Sequence, residues 1–381
     1  MSQASTDEAR SQGSLASAVS GASLLVTCGP GGVGKTTTAA ALGVAAARAG
    51  RRVVVVTVDP ARRLAEALGL ELDASADDPH HVTGVGETGK GELWALMLDA
   101  ASTFDRLVRE QASSPQQAEA LLANPVYRAI SGSLSGAQEY MAIERLHELH
   151  TSGEWDLVIV DTPPSRHAID LLEAPDRLVG FLSHPVYRAL TITQRTFAKV
   201  TNAAASMFLW AVRRLAGPQI VEDTMEFFRS LANIEPGLRR RASEVSTLLR
   251  SDEATFVVVS SPRAEAIGEA EHLVDALRAG RFPFGGVVIN LIHPLPDELD
   301  DDALTDIGPG PLADHVAWHD DLRRLALAER AELAALVRLA GAAPVVELAL
   351  RAVDVHDVDG LGDLADHLVG PSRRPHLGGH G

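Results

Sequence analysis

Eight residues near the start of the chain restrict its fold more than any other feature. Gly29-Pro30-Gly31-Gly32-Val33-Gly34-Lys35-Thr36 fits G-x-x-x-x-G-K-[ST]. A short apolar run, Ser23 to Thr27, precedes it, and an Ala-rich stretch from Thr36 to Ala49 follows and closes on Gly50. The order reads as strand, glycine loop, helix. Glycines let backbone N–H groups converge on phosphate oxygens without a Cβ in the way. The helix that opens near Lys35 adds the positive end of its dipole. Lys35 suits β- and γ-phosphate oxygens, and the Thr36 hydroxyl suits Mg2+. The chain has three lysines (Lys35, Lys90 and Lys199), which gives the position of Lys35 extra weight.

The rest of the chain alternates in the way such a loop requires. Strands are expected at Arg52–Val58, Leu93–Leu98, Leu157–Val160, Thr255–Val259, Gly286–Asn290 and Pro344–Leu348. Helices are expected at Pro60–Leu70, Ala264–Ala279 and Asp320–Leu339. The expected fold class is α/β, a P-loop NTPase with a mainly parallel sheet flanked by helices. Two helix-only stretches, about 100–152 and 177–250, cannot belong to that sheet. They are expected to form one inserted helical subdomain, broken at Pro115, Pro125, Pro185, Pro218 and Pro236. A single domain is expected over 22–370. The Ser/Ala/Gln-rich residues 1–21 and the stretch 371–381 read as disordered tails. His80-His81 reads as part of a polar loop.

Composition excludes several classes. Cys28 is the one cysteine, so no disulfide framework and no cysteine zinc site can form within the chain. No apolar run reaches the roughly 18 residues of a membrane span. The N-terminus lacks a signal-peptide pattern, and the expected location is the cytoplasm. A net charge of −17 argues against nucleic-acid binding. Arg177–Arg250 departs from that average, with eleven basic and five acidic residues and seven of the chain's aromatics. His147 and His150, like His315 and His319, share helical faces, and without a third ligand they read as solvated.

Two aspartates follow buried strands, Asp59 after VVVVTV and Asp161 after LVIV. The carboxyl ends of such strands are where ligands bind in open α/β sheets. A carboxylate there holds Mg2+ through water or orients an attacking water. Either could instead cap the helix that follows.

In these motifs the chain resembles the ArsA/Get3 family of P-loop ATPases, a branch of the dimeric group that includes MinD and ParA. The resemblance rests on GPGGVGKTT and on Asp59-Pro60-Ala61. It rests also on Asp161-Thr162-Pro163-Pro164-Ser165-Arg166-His167 running on through AIDLLEAP, on VSSPRAEAIGEAEHLVDALRAG and on GVVIN. It covers roughly 22–368, and the resemblance to actinobacterial Get3-like members is close. It implies ATP and Mg2+ as ligands. Gly31, Gly32, Val33, Gly34, Lys35, Thr36 and Thr37 would cradle the phosphates, and Asn290 would read adenine. Lys35 and Asp59 would be catalytic, with Asp59 orienting water. Thr36 and, through water, Asp161 would serve the metal. Asp59, Pro60 and Ala61 would form one switch. Asp161, Thr162, Pro163 and His167 would form the other.

The resemblance also implies a dimer, with itself or with a paralogous subunit. The helical subdomain would offer an apolar groove to a client's transmembrane helix, and its basic margins suit a membrane surface. An ordinary helical core accounts equally well for the same aromatics. Three departures stand out. The family's signature lysine is Pro30 here, the paired zinc cysteines are missing, and so is the cysteine metalloid site. Where relatives have an Asn after Asp-Pro-Ala, this chain has Arg62-Arg63. Pro30 opens a second reading, a weakly hydrolysing regulatory half of a heterodimer. DTPPS also occurs in positioning ATPases of the ParA/MinD type.

Overall fold

The computed structural model describes residues 14–58, 63–70, 78–85, 91–112, 114–125, 127, 137–184, 218–299 and 310–370. Helix α1 (Ala16–Gly21), β1 (Leu24–Cys28), α2 (Lys35–Arg48), β2 (Arg52–Thr57), α3 (Arg63–Leu68), β3 (His80–Val82) and β4 (Glu92–Met97) come first. Helices α4 (Ala100–Gln111), α5 (Pro115–Ala123) and α6 (Ala137–Thr151) follow, then β5 (Leu157–Asp161), α7 (Ser165–Ser183) and α8 (Pro218–Leu249). Alternation then resumes with β6 (Ala254–Ser260), α9 (Ala264–Ala279), β7 (Phe284–Ile292), α10 (Pro311–Ala340), β8 (Val345–Ala349) and α11 (Val358–Val369). Two compact units result. One comprises Met1–Met97, Ser152–Ala168 and Arg250–Gly381, the other Leu98–Thr151 and Ile169–Leu249.

The first unit is an eight-stranded sheet in the order β3-β4-β2-β5-β1-β6-β7-β8. Every neighbouring pair is parallel except β3–β4. Continuous β-branched runs such as Val53–Val56 are buried on both faces, as parallel strands under helices require. From β1 the chain departs toward β2 on one side, and from β5 it crosses to β6 on the other. The crevice beyond the carboxyl end of β1 is therefore a topological switch point, where ligands bind.

Helix α2 explains its own composition. Nearly every residue from Thr38 to Ala47 is buried, because the sheet covers one side and α11 another. A Cβ on Gly43 would lie 2.7 Å from Val55 Cγ2 and 2.9 Å from Leu93 Cδ1. Only small residues allow so close an approach.

Four expectations need correction. Residues 14–21 are not a disordered tail: α1 forms there, Leu15 is fully buried, and its N–H donates to Leu368 O at 2.8 Å. His80-His81 is not loop but the start of β3, an antiparallel edge strand on β4 with His81 against the Trp94 ring. Three residues are too few to show a period. Helix α10 begins at Pro311, nine residues before the expected start, with proline at a position where its missing N–H costs nothing. Pro236 does not break α8. Ile234, Leu238 and Ala242 are buried at four-residue spacing on one face, and that packing carries the helix through.

The second unit is all helical among the described residues. Its core includes Phe104, Leu107, Tyr127, Tyr140, Met141, Leu182, Phe227 and Leu238. Glu144 is fully buried there, held by the Tyr140 hydroxyl at 2.9 Å and by Arg241. Burial raises the Glu144 carboxyl above its ordinary range, and Arg241 opposes that. Of the aromatics expected in a groove, Phe227 is core and Phe181 is half exposed. Tyr187, Phe197, Phe208 and Trp210 lie outside the described residues, as does the Phe228 side chain.

Leu15→Ala is expected to cost about 2–5 kcal/mol, the range for emptying a buried leucine site. Urea unfolding measures it, and a midpoint within error of wild type would return residues 14–21 to the status of a tail.

Candidate functional site

Strand β1 ends at Cys28, and the chain turns at Gly29 (φ 155°). A Cβ at Gly29 would sit 2.0 Å from the Val259 carbonyl oxygen, so the loop backbone lies directly on β6. Gly32 (φ 72°) and Gly34 (φ 88°) are left-handed, a region that glycine enters without strain. A Cβ on Gly34 would meet Asn290 Nδ2 at 2.3 Å. Val33 is fully buried and pins the loop from below. Gly34 is the residue before α2, so the first turn of that helix faces the cradle.

Lys35 is the buried cation of the site. Its Nζ donates to Pro30 O at 2.7 Å, folded back over the loop. Asp161, at the carboxyl end of β5, is also buried. Its Oδ2 accepts from Thr36 Oγ1 at 2.7 Å and from Thr57 Oγ1 at 3.0 Å. Thr162 Oγ1 donates to Thr27 O at 2.8 Å, which ties the segment after β5 to β1. Pro163 is half-buried, and Pro164 lies 3.9 Å from where a Gly31 Cβ would be. Thr37, in the first turn of α2, is partly exposed. His167 lies in the first turn of α7, and its side chain is outside the described residues. Asp59, Pro60 and Ala61 are outside them too. The chain leaves β2 toward them beside Asp161, where the Val58 N–H donates to Asp161 O at 3.2 Å.

Asn290 takes a position that its sequence context did not foretell. The β7–β8 register shifts between Ile289 and Ile292, and Leu291 has φ 62°. Such irregularities re-aim side chains. Asn290 Nδ2 donates to Val33 O at 2.9 Å, so the amide braces the glycine loop. Two further residues join the site unannounced. Thr57 was hidden in a valine run. Arg263, just before α9, sends Nη2 to within 3.4 Å of Gly32 O, and only its place in SSPRAE hinted at it.

These residues fit a magnesium nucleotide. Adding a Cβ would fill the cradle at Gly29 and at Gly34. The hydroxyl of Thr36 and the carboxylate of Asp161 are hard oxygen donors of the kind Mg2+ takes.

A family model described as anion-transporting ATPase matches residues 22–305. The chain belongs to that family of ATPases. It is 26% identical over 270 residues to ATPase GET3 of Malassezia globosa, covering 70% of this chain and 72% of the relative. It is 26% identical over 349 residues to ATPase GET3B of Arabidopsis thaliana, covering 85% and 74%. A putative arsenical pump-driving ATPase 2 of Aquifex aeolicus is 24% identical over 274 residues, covering 70% and 79%. Among the described residues no helix is long and apolar enough to cross a membrane.

Two expectations follow. Gly34→Ala forces a side chain into a left-handed position and onto Asn290, and it should weaken binding of an ATP analogue about tenfold or more. Adding Asn290→Ala removes the clash but not the backbone strain, so binding should stay impaired, and full recovery by calorimetry would refute the backbone argument. The Cys28 thiol is pushed up to about 12 by burial, with Lys35 pulling weakly the other way. At pH 8 it carries almost no thiolate, so iodoacetamide should label it only after denaturation. Rapid labelling of the native protein would mean that the loop opens freely.

Proposed function

We propose that this ATPase binds ATP with Mg2+ on Gly31 to Thr37 and couples hydrolysis to its helical unit. The observation that carries the reading is the joint arrangement of Lys35 on the loop and Thr36 on Asp161. Lys35 exchanges the Pro30 carbonyl for phosphate oxygens. Thr36 and Asp161 hold the metal, Asp161 through water. Mg2+ supplies charge neutralisation on the phosphates. Asp59, which follows the β2 run in the sequence, orients the attacking water. Thr57 holds the Asp161 carboxylate in place.

Signalling runs through the two switches, Asp59-Pro60-Ala61 and Asp161 to His167. The chain enters α7 directly from the second switch, and α7 continues past Ala168 into residues of the helical unit. That covalent continuity supports a coupling of phosphate state to helical packing. The working state is a dimer, the location cytoplasmic, and the client an apolar helix held by the helical unit. That assignment follows what the resemblance to the ArsA/Get3 family implies. A second reading is favoured by Pro30, which has no cation to offer. In it the chain is the slow half of a heterodimer, since loss of a charge acting like an arginine finger costs about 10^3–10^5 in rate.

Steady-state ATP turnover, with oligomeric state read in parallel by light scattering, tests the reading. Lys35→Ala should abolish turnover and weaken ATP binding. Unchanged affinity and rate in that variant would overturn the site assignment. Binding without turnover, restored on mixing with a lysine-bearing paralogue, would select the heterodimer.

A further inference from the structure

We propose that Arg263 contacts the terminal phosphate of the bound nucleotide from within the same chain and supplies the cation that Pro30 cannot. The inference rests on reading the glycine loop as the nucleotide site. Among the described residues two cations rest on carbonyl oxygens of the loop. Lys35 Nζ holds Pro30 O at 2.7 Å from inside. Arg263 Nη2 approaches Gly32 O from the exposed rim at a long 3.4 Å. A neutral carbonyl at that distance is a weak partner for a guanidinium, and a phosphate oxygen is a strong one.

The anchoring of Arg263 favours such an exchange. It follows Ser260 and Ser261 at the carboxyl end of β6, the ligand edge of the sheet. Its Nε donates to Ser261 Oγ at 3.3 Å, and its carbonyl accepts from the Ile267 N–H at 2.9 Å as α9 begins. The base of the side chain is held, while its terminal fork projects over Gly32. Among the described residues no carboxylate forms an ion pair with it, and its side chain is exposed. A Cβ at position 32 would lie 3.7 Å from Nη2, ordinary contact distance, which places the fork directly against the loop backbone. Lys35 folds back to Pro30, which marks the start of the loop as the end that receives the terminal phosphate. Gly32 is two residues from that point.

Calorimetry on the full chain with Mg2+ tests this, using ADP and the slowly hydrolysed analogue ATPγS, alongside turnover and thermal melting. Arg263→Ala should weaken ATPγS about tenfold or more while changing ADP affinity less than about threefold, with an unchanged melting temperature. Arg263→Lys should recover part of the loss, and the salt dependence of ATPγS binding should be shallower in Arg263→Ala. Wild-type affinity for both nucleotides would overturn the proposal. So would an equal loss for both together with a lower melting temperature, which would make Arg263 a prop for the loop. If the wild-type chain binds neither nucleotide, the nucleotide reading itself fails, a result distinct from either outcome in the variant.

Discussion

The structure depends on how little space separates the glycine loop from β6. With only 2.0 Å between the Val259 oxygen and any Cβ at position 29, the loop is bare backbone pressed onto a strand edge. From that contact the other placements follow. β6 must lie beside β1, which sends the chain to opposite sides of the sheet from β1 and β5. Helix α2 must start immediately at Lys35 and then run along the sheet, which Gly43 and the alanines allow. The carboxylate at the end of β5 then comes within reach of the Thr36 hydroxyl.

Much of this was legible in the residues. The loop pattern, the valine runs and the aspartates after them predict a parallel sheet with its ligand edge at Lys35, Thr36 and Asp161. That works because a strand buried on both faces and a phosphate cradle each admit few residue types. What escaped notice depends on contacts between distant segments. The Asn290 contact with Val33 needs an irregularity in β7, and the sequence GVVIN does not announce one. Strand β3 forms because β4 has an edge to pair with, not because His80-His81-Val82 has a pattern. Helix α1 exists because Leu15 finds a buried site beside α11, and polar neighbours hide that leucine in the sequence.

The helical unit shows a different balance. Its charge surplus is not simply a solvated face. Arg241 turns inward to a fully buried Glu144, with Glu110 and Glu148 also near it. A buried pair of this kind adds little net stability, yet removing one partner costs about 3–5 kcal/mol. It therefore acts more as a constraint on which packing is allowed than as a source of stability. Phe227 belongs to the same core, so at least one of the aromatics in this stretch packs inward.

The seam between Leu15 and Leu368 bears on how the chain is made. Ser14 Oγ also donates to Val369 O, a contact spanning 355 residues. During synthesis at about 5–20 residues per second, α1 and the outer side of α2 wait roughly 20–70 s for α11 to emerge. Until then a helix built almost wholly of small apolar residues lacks its cover. A segment made more than 300 residues later thus closes α1, and α2 gains its cover on that side only once α11 has been synthesised.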